Sequence, residues 1–448
     1  MILKKHWAPF YRNTDVDRLY LSVWAGLQAL SATLGRALAW AEKHIIAWLA
    51  VLTLALVCGL RWLAPAVGQA HGIETAVGMP LLLGVGCAIA LIAMLVAAGA
   101  QKVWCALLPL MALSGAFAVA ATWTVEPIQR MALLEIASAL VLVLVWRIAA
   151  RRVAWIYSVV VALSAASLVA GQAAFSMGDT AWARSLLLGG FVLKLGIVPL
   201  FLWLPAVAEA LPALAMGVIV AVVDIAAFGE LYLLALAHPE LLSPHAVWIA
   251  AAVASSLLAS LLMLTERNLK RLLALSTIED MGFLLLGVAS ASELGLQGAL
   301  FAATVHALAK ALLFICLSAP EADGALTNHA RGLASRYPVS AAGFLVGMLA
   351  MLGIPPTLGF AGRWRLYQTA AGMNHALLAV LILSSMFALL AYVLCLTRCW
   401  WGPRDAGDVT RHTPETLPFR LAVVGLIVVL LAGGLWPNAL LALMRGMR

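Results

Sequence analysis

TVHALAKALLF, residues 304–314, sets His306 and Lys310 one helical turn apart in a segment that otherwise dissolves in hydrocarbon. A charged side chain at bilayer depth is expensive and survives where it faces a partner or a polar cavity. Residues at i and i+4 share one helix face, so a proton could pass between these two titratable groups. The stretch sets two expectations together: a helix inside a membrane, and an ion path along its face.

The rest of the chain agrees. Of its 448 residues 64% are hydrophobic and 11% charged, with a mean hydropathy of +1.02, which excludes a water-soluble domain. A spanning helix takes about 20 apolar residues. Roughly thirteen such runs are counted, near 44–64, 77–98, 103–123, 127–147, 153–174, 183–205, 211–237, 245–264, 272–291, 295–319, 338–370, 376–400 and 418–441. The run at 338–370 is interrupted and reads as two half-helices. The formal charge of +8 is a topology signal rather than a nucleic-acid footprint. Arg147, Arg151 and Arg152, then Arg267, Lys270 and Arg271, then Arg331 and Arg336, then Arg404 and Arg411 fall on alternate loops, while 238–244 and 291–295 carry few or no basic residues. This positive-inside pattern predicts a cytoplasmic N-terminus and an external C-terminus, in a bacterial-type inner or cell membrane. The opening MILKKHWAPFYRNTDVDR is basic but polar for too long to be a cleaved signal. Six cysteines, at 58, 87, 105, 316, 395 and 399, form no CxxC and no metal-like cluster, and read as apolar packing residues.

Residues 15–40 differ from the remainder. Leu19, Val23, Leu27, Leu30, Leu34 and Leu38 keep helical spacing among Asp17, Arg18, Gln28 and Arg36. That pattern predicts an amphipathic helix at the interface or docked on a partner, with a tilted weak span as the alternative. The organisation that follows is an N-terminal segment over 1–43, leading spans over 44–98, five spans over 103–237, five more over 245–400, and a loop with a last span over 401–448. In each five-span unit proline breaks the fourth span: Pro199 and Pro205 in the first, Pro355 and Pro356 in the second. Five being odd, consecutive units enter the membrane from opposite sides, so the repeat is inverted. Inverted repeats with discontinuous helices at matching positions point to a transport site near the bilayer midplane; prolines in membrane helices can also be simple kinks.

Ionisable residues within the spans are few. The first unit holds Glu135, Lys194, Asp224 and Glu230; the second holds Glu279, Asp280, His306, Lys310, Arg363 and Arg365. Lys194 lies five residues before Pro199, where a broken helix frees carbonyls and admits water. Desolvation disfavours a charged lysine and a nearby carboxylate favours it, so a Glu135–Lys194 pair can load or release a proton as the acid moves. A static ion pair is the alternative, though such pairs are costly in lipid. His306 reads as a packing histidine or, with Lys310, as a relay. Glu279 and Asp280 are expected at a helix N-terminus, where the dipole favours carboxylates. Asp224 and Glu230 are placed near a water-filled vestibule. Tryptophans at span ends, such as Trp400 and Trp401, read as an interfacial belt.

At these residues the chain resembles the antiporter-like proton-pumping subunits of respiratory complex I, of related membrane-bound hydrogenases and of Mrp cation/proton antiporters. KLGIVPLFLWLPAVAEALP looks like the family's lysine-bearing broken helix, NLKRLLALSTIEDMGFLLLG like its KRLLAYSSIxHMG element, TVHALAKALLF like its HxxxK helix, and LAMLGIPPTLGFAGRW like its second broken helix. The resemblance implies an all-α polytopic fold with two inverted five-helix repeats and a central hydrophilic axis. It implies proton-transfer roles for Glu135, Lys194, His306 and Lys310. Asp224, Glu230, Asp280, Arg363 and Arg365 are further candidates. It also implies no redox centre and no metal in this subunit, partner membrane subunits in a hetero-oligomeric complex, and protons as cargo with sodium as the alternative.

Departures from the pattern are specific. The family's histidine of PxHxWLP is Phe201, the serine after its later proline is Met216, and the lysine of the next helix is Ala226 or Ala227 with Asp224 nearby. Leu275, Thr277 and Asp280 replace the tyrosine, second serine and histidine of AYSSIxHMG; Ala302 stands where a first histidine is expected. The terminal SK(D/E) reads Gly362, Arg363, Trp364, so its acidic group is missing. Asp224 with Arg363 or Arg365 would substitute, or the subunit conducts poorly. The leading expectation is a proton-translocating subunit of a redox-driven complex. The alternatives are a subunit of a Mrp-type antiporter or of a bicarbonate-accumulating system, and a non-pumping structural subunit.

Overall fold

The computed structural model describes residues 15–43, 78–101, 106–328, 330–402 and 415–437. Among them every regular element is helical: α1 Asp15–Lys43, α2 Gly78–Ala100, α3 Leu108–Trp123, α4 Pro127–Ile148, α5 Arg151–Ser176, α6 Thr180–Lys194, α7 Trp203–Ala210, α8 Ala213–Ala237, α9 His245–Met263, α10 Leu269–Ala289, α11 Glu293–Ala322, α12 Pro338–Met351, α13 Gly359–Met373, α14 His375–Trp400 and α15 Leu417–Leu435. Nine of these described helices hold a stretch long and apolar enough to cross a membrane, and α3 and α12 are shorter apolar helices. The expected span at 44–64 and Cys58 and Cys105 lie outside the described residues.

Burial divides the helices. α10 and α11 are covered along their whole apolar length, whereas α4, α5, α14 and α15 keep broad exposed apolar faces such as Ile136, Val169, Met386 and Val428. Apolar side chains cannot be driven together by water inside a bilayer, so close approach depends on small residues. Gly282 brings α10 against the backbone of α9 at Ala252 and Ser256, and Gly362 brings α13 against Ala302 of α11. The consequence is that α10 and α11, which carry the buried Glu279, Asp280, His306 and Lys310, form the centre of the bundle.

The two broken helices are built alike. α6 ends where Gly196 adopts φ 63°, with Ile197 N–H donating to Val192 O at 3.0 Å. α12 ends where Gly353 adopts φ 68°, with Ile354 N–H donating to Leu349 O at 2.9 Å. Both are left-handed glycine stops that satisfy carbonyls otherwise orphaned at a helix end. Each is followed by a cis proline bond, Val198–Pro199 and Pro355–Pro356, and then by a second half-helix, α7 or α13. Pro205 lies within the first turn of α7, beyond the break itself.

At the arginine-bearing end a polar clamp joins α10 and α11 to the junction between α7 and α8. Lys270 donates to Glu321 at 2.8 Å and to Leu211 O at 2.7 Å, while Glu321 accepts from Ala213 N–H at 2.6 Å, covering the start of α8. α1 runs against α9 through Ser31, whose hydroxyl donates to Leu261 O at 2.5 Å and lies 2.9 Å from Thr265 Oγ1. Val23 and Leu30 of the expected apolar stripe are exposed, so the docked face is the one carrying Ser31.

Candidate functional site

Three charged clusters lie inside the helices. In the first, Lys194, in the last turn of α6 ahead of the Gly196 stop, donates to Glu135 of α4 at 2.6 Å and is 6% exposed. Glu135 Oε2 is buried without a hydrogen-bond partner. Asp224 of α8 is also buried, with Lys194 as the cation in electrostatic reach, and Tyr157 lies within reach of both carboxylates. No hydrogen bond among the described residues reaches the Asp224 carboxylate. Lys194 is thus a cation flanked by two acids, only one of which it bonds.

Asp224 stands directly after a π-helical turn, Ile219–Val223. Such turns interrupt the regular ladder and are frequent at functional sites. The carbonyl of Val220 in this turn stands beside the imidazole of His306 on α11. His306 is fully buried; its Nδ1 lies 2.7 Å from Asp280 Oδ2 of α10, and its Nε2 lacks a partner in full hydrogen-bond geometry. The ring therefore has one nitrogen held by an acid of the second unit and the other turned toward the π-turn of the first.

Around it the second cluster closes. Arg363 of α13 donates through Nη2 to both oxygens of Glu279 at 3.3 Å and to Met351 O at 2.9 Å, and lies 3.4 Å from Asp280 Oδ1. Its guanidinium carbon sits 3.6 Å from the centre of the Phe283 ring, and Nη1 is buried without a partner. Lys310, fully buried, donates to Leu273 O at 2.7 Å and to the Ser276 hydroxyl; Tyr392 of α14 donates to the same hydroxyl oxygen at 2.8 Å. His306 and Lys310 share a helix face as expected, but no hydrogen bond joins them: each reaches its own partner on α10.

Glu279 and Asp280 are not at a helix start. α10 begins at Leu269, capped by the Asn268 side chain, which accepts from the Lys270 and Arg271 backbone, so both acids lie mid-helix and buried. The apolar run near 272 concealed a helix that starts with its basic residues. The third cluster was not foreseen: Glu230 of α8, 5% exposed, is held by both Nε and Nη2 of Arg130 from α4, one hundred residues away in sequence. Arg130 also donates to Val125 O at 2.5 Å. Arg365 bonds Ala361 O of its own helix at 2.6 Å and lies over the Phe301 ring. No group of three or more metal-ligating side chains occurs among the described residues.

Glu135 Oε2, His306 Nε2 and Arg363 Nη1 are three of the four buried, unpaired side-chain polar atoms among the described residues. Such atoms are ordinarily satisfied by ordered water. Their concentration on charged side chains of α4, α11 and α13 gives the clusters the chemistry of a hydratable polar line.

Residues 91–388 match the profile of a transmembrane family described as NADH:quinone oxidoreductase/Mrp antiporter. Subunit N 3 of an NADH-quinone oxidoreductase from Streptomyces griseus subsp. griseus is 34% identical over 257 residues, 56% of this chain and 46% of that protein. The subunit N from Moorella thermoacetica is 32% identical over 264 residues, 57% of this chain and 54% of that protein. The chain spans about half the length of the curated relatives it matches. Among solved structures, a chain of the Mrp complex from Dietzia superposes with TM-score 0.72 at 20% identity, covering 95% of this chain and 94% of that one. A chain of respiratory complex I from Thermus thermophilus does so with TM-score 0.67 at 24% identity, covering 93% and 99%. These two show the fold.

Proposed function

Because the chain belongs to the NADH:quinone oxidoreductase/Mrp antiporter transmembrane family, we propose that it is a proton-translocating subunit of a multisubunit, redox-driven membrane complex. The observation that carries this reading is the line of buried ionisable groups formed by two clusters, Glu135–Lys194 with Asp224 and His306–Asp280 with Lys310, bridged by the Ile219–Val223 turn that precedes Asp224 and borders His306. Buried charge within membrane helices is a functional site by default, and this line crosses from one five-helix set to the other.

The chemistry follows from the pairings. Glu135, which accepts from Lys194 at 2.6 Å, stabilises the lysine's positive charge. Movement of Glu135 away removes that stabilisation, and Asp224, the second acid in reach, is the group that takes the proton forward. His306 is the next acceptor: Asp280 holds Nδ1, and a proton arriving at Nε2 makes an N–H that the Val220 carbonyl can accept. In the second cluster Glu279 and Asp280 balance Arg363 and Lys310 in sign, so protonation of neutral His306 changes the charge of the site. A guanidinium does not give up its proton in proteins. Arg363 therefore acts as a fixed cation holding the two acids in place, and the exchangeable protons belong to His306 and Lys310.

The repeat is inverted in this reading, in a chain of about thirteen spans. The matching Gly196 and Gly353 stops support it, as does a second-helix acid paired with a fourth-helix cation in both units, Glu135–Lys194 and Glu279–Arg363. The arginine-bearing loops face the cytoplasm and the N-terminus lies on that side. Neighbouring membrane subunits supply the redox coupling, and this chain carries no cofactor. The test is Lys194→Ala in liposomes holding the purified full-length chain, with an imposed potassium diffusion potential and a pH-sensitive dye. Proton flux is expected to vanish while folding is retained; unchanged flux refutes the reading.

A further inference from the structure

At the arginine-bearing face, the ends of α9 and α14, the start of α10 and the loop between α11 and α12 enclose a cavity of about 390 Å³. Three arginines line it, Arg267, Arg331 and Arg398, and no hydrogen bond or ion pair engages their guanidinium groups among the described residues. Arg130 and Arg363, by contrast, each hold an acid of this chain. The one acid in the lining, Glu266, is turned to its own loop. It accepts from the backbone N–H of Arg267 and Asn268 at 2.8 and 2.9 Å, and from Arg271 Nε at 3.1 Å. The cavity therefore offers positive charge in excess.

Two local features shape it. The π-turn Leu396–Trp400, closed by Trp401 N–H donating to Leu396 O at 2.9 Å, ends α14 and brings Thr397 and Arg398 into the lining. Gly402 follows. A Cβ there would stand 2.7 Å from Arg398 O and 3.5 Å from Arg331 Cβ, so the bare glycine lets the Arg331 loop close against the end of α14. Toward the membrane interior the walls are apolar: Met263, Leu272, Ala391 and Leu394. Leu394 and Thr397 also continue a face of α14 that holds Leu383, Phe387 and Leu390, spaced four and three residues apart. Leu383 is 41% exposed, Phe387 and Leu390 are half-buried, and Trp401, 57% exposed, stands at the far end. A lipid-facing apolar stripe thus runs from mid-helix into the arginine-lined cavity, and ends on a residue type that prefers the membrane interface.

We propose that this cavity binds an anionic membrane phospholipid, its phosphate held by Arg267, Arg331 and Arg398 and one acyl chain laid along Leu383, Phe387, Leu390 and Leu394. Guanidinium forks match phosphate oxygens in pairs. Basic pockets between membrane helices recognise anionic headgroups by this chemistry. A soluble phosphate would meet the same cations, but the apolar stripe entering the cavity gives only a lipid a place for its chain. The bound lipid joins the ends of α9 and α14 and the α11–α12 loop to the start of α10, the helix that carries Glu279 and Asp280. The site contains no residue of the polar line, so it stands or falls independently of proton flux.

The test is native mass spectrometry of the purified full-length chain in detergent, titrated with phosphatidylglycerol, phosphatidylcholine or glycerol phosphate. The wild-type chain is expected to hold phosphatidylglycerol in preference to phosphatidylcholine, and glycerol phosphate at matched concentration should not displace it. Arg267→Gln/Arg331→Gln/Arg398→Gln should bind phosphatidylglycerol roughly tenfold or more weakly. Thr397→Trp keeps the arginines, places its bulk at an exposed position of the lining, and should lose binding as well. Arg147→Gln/Arg151→Gln/Arg152→Gln removes the same charge from another loop of this face and should bind as wild type does. Unfolding temperatures without lipid check that each variant is folded. With phosphatidylglycerol the temperature should rise for the wild-type chain and not for the first triple variant. Wild-type affinity in that variant or in Thr397→Trp overturns the site, and so does equal weakening in the second triple variant, which would reduce binding to bulk charge. Equal binding of phosphatidylcholine overturns headgroup recognition, and displacement by glycerol phosphate overturns the lipid in favour of a soluble phosphate.

Discussion

Arg363 is the residue on which the second cluster depends. It bonds Glu279, approaches Asp280 and covers Phe283, so Arg363→Gln leaves two buried acids without their cation. The expected loss of stability is about 3–5 kcal/mol, read as a lower unfolding temperature in detergent. Glu279→Gln added to Arg363→Gln should recover part of it; no recovery would show that Arg363 acts through packing alone. Asp224→Asn tests the other unusual residue. It keeps shape and removes the acid that faces Lys194, and proton flux should fall severalfold with stability unchanged; normal flux would make Asp224 a packing residue. At this scale the sequence was informative where charge is rare: Glu135, Lys194, His306 and Lys310 stand out against apolar neighbours, and the Glu135–Lys194 pair has the anticipated partners. It was silent on Arg130–Glu230, because Arg130 looks like an ordinary basic residue near a helix start and its acid lies a hundred residues on. It misplaced Glu279 and Asp280, although Asn268 was a visible capping signal ahead of them.

The broken helices set a prediction at the scale of the element. Gly196 and Gly353 share a left-handed conformation that costs an L-residue about 1–2 kcal/mol. Gly196→Ala meets only ordinary contacts, Leu204 at 3.6 Å, so the backbone cost stands alone. Gly353→Ala adds a methyl group 2.5 Å from Arg363 Cβ. It should be clearly the more destabilising of the two by thermal unfolding; equal effects would mean that α13 shifts freely and that Arg363 is not held by the break. Proline and glycine made these breaks readable in advance. The π-turn at Ile219–Val223 left no such mark, since IVAVV suits a regular helix, and its role emerges only from His306 packed against it. For α1 the leucine spacing predicted the helix and part of its docked face: Leu34 packs on the core beside Ser31, whose hydroxyl bonds Leu261 O, while Val23 and Leu30 stay exposed.

For the whole molecule, the proposed inversion of the two units and the positive-inside pattern of the loops predict a topology that labelling can check. Single cysteines at Arg267→Cys and Arg331→Cys should react with an impermeant thiol reagent from the cytoplasmic face, and Met177→Cys from the other; Met177→Cys reacting on the cytoplasmic face would overturn the orientation. Composition alone announced a membrane protein, and the alternation of basic loops supplies the sidedness that this labelling tests. How α10 and α11 come to lie at the centre was not legible, because burial of one apolar helix by others leaves no trace in hydropathy when lipid and protein interior are equally apolar. Proton translocation through this chain requires Lys194 to give up a proton, and Lys194→Arg asks that directly. Arginine keeps the positive charge and the bond to Glu135 but does not release a proton. In liposomes under an imposed potential the variant is predicted to fold normally and to carry no proton flux; flux at the wild-type rate would contradict the relay.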